Sequence, residues 1–231
     1  MAPAMISREQ NNNSVNTNGW QPRAQIKEQQ SNLNGNIIEI KSDPHVYYFK
    51  SSVISSNIYE GKSSERNVAI KIGDKMKIDR EVSHLLALEH PNIVAYMFKC
   101  CDVNGRSHLI TEHYKHPLKD HLELQVPIKD IMSQLMSAVV FMQEKNIVHL
   151  DIAPDNVFLI KNDSGIVVKL TNFEYALKIH SANVRVDSFN SKSSQSGFTP
   201  HEVLAHKFAF KNSDFWSLGR VLTNLMTEKG Y

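Results

Sequence analysis

Cysteine is nearly absent from this chain of 231 residues, and the two that occur, Cys100 and Cys101, are neighbours. Adjacent cysteines do not close an ordinary long-range disulfide and no CxxC pair exists, so a disulfide framework and a cysteine-based metal site are both excluded. Charge of one sign is also lacking. The 26 Lys and Arg against 24 Asp and Glu leave a net +2, too small a balance to point to nucleic acid or to an anionic membrane surface. No window reaches the roughly 18 uninterrupted apolar residues of a membrane span, and Met1 to Gln30 holds no apolar core of signal-peptide type. The expectation is an intracellular protein, most simply a cytoplasmic one, with reduced thiols.

Residues 1–36 carry eight asparagines with glutamine and serine, and little that is apolar beyond Trp20. Such a stretch buries too little surface to offset its ordering entropy, which predicts a disordered Asn/Gln-rich tail. From Ile37 the texture changes to short apolar runs parted by turn residues: Ile37–Ile40, Val46–Phe49, Ile58–Tyr59, Val68–Ile72, Ile93–Cys100 and Ser107–Glu112. The first four predict strands of one antiparallel sheet, and the last two are further strand-like runs. Asp74 is placed to cap a helix over about 75–88, with Ile78, Val82, Leu85 and Leu86 at helical spacing. Further on, Ile128, Ile131, Leu135, Val139 and Met142 recur at steps of 3, 4, 4 and 3, and Phe215, Leu218, Val221, Leu222 and Leu225 mark a last helix. Between the two, Val157–Ile160 and Val167–Leu170 read as a hairpin. Strands first and helices after make an α+β, two-lobed pattern.

Four segments follow in fixed order: Val68-Ala69-Ile70-Lys71; Glu81 with His90-Pro91-Asn92-Ile93-Val94; His149-Leu150-Asp151-Ile152-Ala153-Pro154-Asp155-Asn156; and Asp214-Phe215-Trp216-Ser217-Leu218-Gly219. With these the chain resembles the protein kinase superfamily over roughly residues 46–228. The resemblance implies a two-lobed kinase-like fold. It divides the chain into the tail 1–36, a β-rich lobe 37–114, and a partial, C-terminally shortened helical lobe 115–231 that ends after the helix following Asp214. It also implies ATP and Mg2+ as cofactors if the protein is active, and possibly none otherwise. Lys71 would reach the nucleotide phosphates with Glu81 pairing it, the plain alternative being two surface charges. Asp151 takes the position of the catalytic base and Asn156 that of a magnesium ligand. Adenine would lie among Ala69, Ile58 and Phe158 and bond the backbone of the linker Glu112-His113-Tyr114.

The departures from the family matter as much. The glycine-rich loop is represented by Ser51, Val53 and Ser56, without a glycine. The magnesium-binding Asp-Phe-Gly is represented by Asn172-Phe173-Glu174, where a neutral amide replaces a carboxylate and Glu174 is the one speculative substitute ligand. Leu150 replaces the arginine that would read a phosphorylated activation segment, and Ala153 replaces the lysine aimed at the γ-phosphate. The segment 172–202 is serine-rich, best read as a polar loop. Pro200-His201-Glu202 stands for Ala-Pro-Glu, and Glu202 is expected to lack its arginine partner. An uncovered apolar face on the last helix would then mark a protein-binding surface. The histidines His113, His116 and His121 match no metal-site spacing.

The reading that leads is a catalytically impaired kinase homologue, a pseudokinase that acts by binding protein. The alternative is an active, divergent serine/threonine kinase that transfers the ATP γ-phosphate to a protein hydroxyl through Lys71, Glu81, Asp151 and Asn156. A non-functional shortened product is third. Partners are expected to be a protein substrate or a protein partner, with no nucleic acid and no membrane, and nothing in the sequence sets the oligomeric state.

Overall fold

The computed structural model describes residues 37–39, 46–55, 57–63, 66–101, 106–186 and 197–228. The tail 1–36, Ser56 and the serines at 188, 191, 193, 194 and 196 lie outside the described residues. Strands β1 (Ile37–Glu39), β2 (Val46–Ser55), β3 (Ile58–Ser63), β4 (Arg66–Gly73), β5 (Tyr96–Cys101) and β6 (Ser107–Glu112) share one sheet, ordered β1-β2-β3-β4-β6-β5. Strands β2 to β6 pair antiparallel, as the alternating pattern predicts.

Period-two alternation decides what this sheet shows to each side. Ile58 pairs with Lys71, Glu60 with Ala69, and Ala69 in turn with Thr111, so these side chains share one face. Val68, Ile70 and Ile110 are buried on the other with Tyr59, Ile72 and Phe98. Helix α1 (Lys75–Leu85) covers the first face. Asp74 caps it as expected, its carboxylate accepting from the N–H groups of Met76 (2.9 Å) and Lys77 (3.3 Å). The helix stops at Leu85 rather than Leu88, because tighter bonds from Ala87 to His84 (3.0 Å) and from Leu88 to Leu85 (3.1 Å) close its last turn. Its buried stripe is Ile78, Glu81 and Leu85. Steps of 3 and 4 therefore force a carboxylate inward among aliphatic neighbours.

Strand β5 begins at Tyr96, not Ile93. Ile93 instead bridges Leu170 in parallel, with Val94 N–H on the Leu170 carbonyl (3.0 Å) and Leu170 N–H on that of Asn92 (2.9 Å). Those bonds stitch the sheet to the second part of the fold. There β7 (His116–Pro117), α2 (Ile128–Glu144), β8 (Ile147–Val148), β9 (Val157–Asn162) and β10 (Gly165–Leu170) come first. They are followed by β11 (Leu177–Lys178), β12 (Asn183–Arg185), α3 (His201–His206), β13 (Phe208–Phe210) and α4 (Ser213–Glu228). The β9–β10 hairpin is antiparallel in register Val157 with Leu170, and β7 pairs on its other side. Ile131, Leu135, Val139 and Met142 of α2 and Leu218, Val221 and Leu225 of α4 are buried in one large core. Leu222 is 36% exposed, and Trp216 and Met226 of the same helix are 51% and 44% exposed. The result is a β-rich first part and a helix-containing second part. No helix among the described residues is long and apolar enough to cross a membrane.

Candidate active-site cleft

The inward turn of Glu81 and the cleft-facing position of Lys71 bring the two together, Nζ to Oε2 at 2.7 Å, with the residues 6% and 2% exposed. The ammonium has three donors. The second goes to Asn172 Oδ1 at 2.6 Å, and Glu174 Oε2 lies 3.3 Å away for the third. Lys71 is thus fully occupied by this chain's own acceptors. Glu174 also pairs with Lys77 at 2.7 Å. Burial alone pushes its carboxyl up, but the Lys77 bond and the charges of Lys71 and Lys77 hold it below its ordinary value.

Asn172 follows β10 in the left-handed region, φ 64°, where asparagine is better tolerated than most residues. Lys71 can only donate, so the amide oxygen must face it, and the NH2 group then points the other way. It donates to Asp151 Oδ2 (3.0 Å) and to Asn156 Oδ1 (3.1 Å). Asn156 Nδ2 in turn donates to the Asp151 carbonyl (2.7 Å) and to its Oδ2 (2.8 Å). Residues 71, 81, 151, 156, 172 and 174, spread over the sequence, close into one network.

The loop that carries Asp151 is fixed from below. Asp214, 2% exposed, accepts from the N–H groups of His149 (2.7 Å) and Leu150 (2.9 Å). Burial raises the Asp214 carboxyl above its usual value, while the neighbouring His149 and these two bonds draw it back. His149 is fully buried and its Nε2 meets the Thr171 carbonyl at 3.0 Å, so Nε2 carries the proton and Nδ1 accepts from Asp151 N–H at 3.2 Å. Burial lowers its pKa to about 4, against the raising effects of Asp214 and of the Thr171 bond. Leu150 takes φ 65° and no measurable exposure. Its side chain packs with Val148, Ile179, Val186, Val203 and Ala209. Glu202, expected without its arginine, accepts instead from the Ser213 hydroxyl at 2.6 Å.

A cavity of about 600 Å3 lies between the sheet and this loop, with Ile54, Ile58, Lys71, Asp151, Asn172 and Glu174 in its wall. Asn156 and Phe158 also line it, whereas Ala69, Glu112 and Tyr114 do not. β2 runs on through Ser51, Ser52 and Val53 with register shifts against β3 between Tyr48 and Ser55. Ser52 donates to Glu60, which also meets Lys115 (3.3 Å) and His113 (3.2 Å) of the linker. Sequence reading missed Glu60. Its only signal was the alternation that sets it on the cleft face beside Ala69. Glu112, assigned to the linker backbone, uses its side chain to pair with Lys169 at 2.7 Å and to accept from Ala95 N–H at 2.7 Å. Of the histidines weighed for metal, His121 is buried and bonds the Leu118 carbonyl, and His116 faces Asp120 at 3.4 Å. Among the described residues no group of three His, Cys, Asp or Glu could hold a metal ion.

Magnesium is the group the resemblance asks of Asn156 and Asn172, with Glu174 as the speculative substitute, and their geometry does not fit it. A hard dication needs oxygen ligands. Here both amide oxygens are already engaged, the Glu174 carboxylate is held by Lys71 and Lys77, and the Asn172 NH2 is turned toward Asp151 and Asn156.

A family model described as a protein kinase domain matches residues 53–231. Cyclin-dependent kinase 2 of Caenorhabditis elegans is 30% identical over 165 residues, covering 65% of this chain and 42% of the relative. The CBL-interacting serine/threonine-protein kinase 12 of Arabidopsis thaliana is 30% identical over 190 residues, covering 74% and 37%. The chain thus spans about two-fifths of the length of these relatives. In fold it resembles a chain of the crystal structure of the yeast RNA Pol II CTD kinase CTDK-1 complex, at a TM-score of 0.62 and 21% identity over 75% of this chain and 60% of the other. With the motif order, the fold and a family match over well more than half of its length in agreement, this chain belongs to the protein kinase family.

Proposed function

We propose that this protein is a catalytically impaired kinase, a pseudokinase that works by binding another protein, with residues 37–114 and 115–231 as its two lobes. The observation that carries the reading is the Asn172 amide. It receives Lys71 on one side and ties Asp151 to Asn156 on the other, so the positions for phosphate and metal are satisfied from within. Protein kinases use ATP and Mg2+ and depend on a metal-bridged phosphate for transfer, and this donor set holds neither readily. Exposed Trp216, Leu222 and Met226 on α4 support a protein-binding role. Two free cysteines suit a reducing compartment, and we place the protein in the cytoplasm.

One observation favours an active, divergent serine/threonine kinase instead: the buried Lys71–Glu81 pair is assembled at 2.7 Å. Thermal unfolding with ATP and Mg2+ separates the two readings. The wild-type midpoint is expected to ignore both. Asn172→Asp, which sets a second carboxylate against Asp151, is expected to gain a rise on adding Mg2+, with or without ATP. A wild-type midpoint that rises with ATP and again with Mg2+, together with protein phosphorylation lost in Asp151→Asn, would establish the active kinase.

A further inference from the structure

The linker between the lobes contains one large side chain that does not face solvent. Tyr114 is 4% exposed, and its ring lies 4.5 Å from that of Phe158, centroid to centroid, at 52°. Its phenol lies within electrostatic reach of Thr171 and Glu81, so the ring reaches from the linker toward the back of the cleft. Burial, the largest influence, and Glu81 both push that phenol well above the ordinary tyrosine range. Ile58, Ala69, Tyr114, Leu118 and Phe158 belong to one continuous apolar cluster. In a nucleotide-binding cleft of this family, Ala69 and Ile58 above and Phe158 below would bound the space for a flat base. Here they are 1%, 6% and 3% exposed. The open cavity touches Ile58, Phe158 and Thr171 from the side of Lys71, Asp151 and Glu174, and stops short of Ala69, Thr111 and Tyr114. At its outer edge Glu60 ties the β2–β3 hairpin to His113 and Lys115, on either side of Tyr114.

We propose that Tyr114 is the specificity-determining residue of the cleft, its ring occupying the slot for a planar heteroaromatic base and excluding adenine-type ligands. This rests on the reading of the cleft as a kinase nucleotide site, and it is independent of the Asn172 network. A phenol ring is apolar on both faces and polar at one end, so it fills an aromatic slot and keeps its polar end toward the polar wall beyond. An entering base must either displace it, uncovering Phe158, or bind elsewhere.

The test uses the full chain and adenosine, which carries no phosphate and needs no metal. Wild type and Tyr114→Phe, which keeps the ring, are expected to show no change of unfolding midpoint up to millimolar adenosine. Tyr114→Ala is expected to gain a saturable rise, with affinity at least tenfold above wild type by equilibrium dialysis. If Tyr114→Ala does not unfold cooperatively, Tyr114→Leu keeps an apolar contact to Phe158 while vacating most of the ring, and the same gain is expected. Adenosine binding by wild type or by Tyr114→Phe overturns the proposal, as does a folded Tyr114→Ala or Tyr114→Leu that stays blind. The outcomes separate from those of the pseudokinase reading. A blind Tyr114→Ala alongside an inert wild type removes the plug and keeps the reading, whereas phosphate transfer by wild type removes the reading itself. Tyr114→Ala that binds ATP no better than adenosine shows the slot opened and the Lys71 end still closed.

Discussion

On the cleft side of the loop 149–156, Lys71, Glu81, Asp151, Asn156, Asn172 and Glu174 satisfy one another through hydrogen bonds and ion pairs. On the far side Leu150 is packed among Val148, Ile179, Val186, Val203 and Ala209. At both places the motifs the chain resembles lead one to expect another residue: an amide stands where they would have a magnesium-binding carboxylate, and a leucine where they would have an arginine that reads phosphate. The replacements are opposite in chemistry and alike in consequence. Each removes a side chain suited to an external charged ligand and puts in one that is complete with partners from the same chain. The polar side is the more fragile of the two, because a buried charge that loses its partner is penalised by its full desolvation, while a truncated aliphatic loses only contacts and leaves a cavity.

Removing Lys71 should therefore do the most damage. Lys71→Ala leaves Glu81 buried without a cation and Glu174 with Lys77 alone, and a loss of about 3–5 kcal/mol in denaturant unfolding is expected. A loss below about 1 kcal/mol would put the polar side on a par with an exposed ion pair. The next largest effect comes from pH. His149 is held neutral, with its folded pKa about 4 against 6.5 for the free side chain. A depressed value contributes stability that is complete above pH 6.5 and disappears as pH falls toward 4, amounting to ~3 kcal/mol. His149→Gln, which can still donate to the Thr171 carbonyl, should flatten the stability profile between pH 6.5 and 4. An unchanged slope would assign that region to other groups. The smallest effect is expected from Leu150→Ala, about 2–3 kcal/mol from lost contacts and a residual cavity. Alanine adopts the left-handed backbone of position 150 no more readily, so no strain is relieved. If Leu150→Ala proved costlier than Lys71→Ala, the ranking of the two sides would be reversed.

Much of the first layer was legible in the sequence. The runs at Val68–Ile72 and Ser107–Glu112 alternate cleanly, and β4 and β6 contain them. Asp74 marked the start of α1, and the resemblance to the kinase pattern paired Lys71 with Glu81. The sequence was less informative where non-local bonds compete with local pattern. Ile93 is apolar and β-branched and reads as strand, yet its backbone is drawn to Leu170 rather than to β6. Glu202 was expected without its arginine partner, and no local pattern named Ser213, which bonds it because α3 and the start of α4 meet there. Glu60, a surface charge by its composition, gathers Ser52, His113 and Lys115 only because β3 carries it past the linker.

The sequence by itself determined the family and the order of the main strands and helices, since periodicity and motif spacing are properties of the chain alone. Only the tertiary structure decided what the changed residues do. Lys71 and Asn172 stand 101 positions apart, and which way an amide turns depends on which partner can only donate. Tyr114 sits in a linker without period, so no pattern sets the direction of its ring. Its burial against Phe158 is settled by the closure of two lobes around an apolar slot.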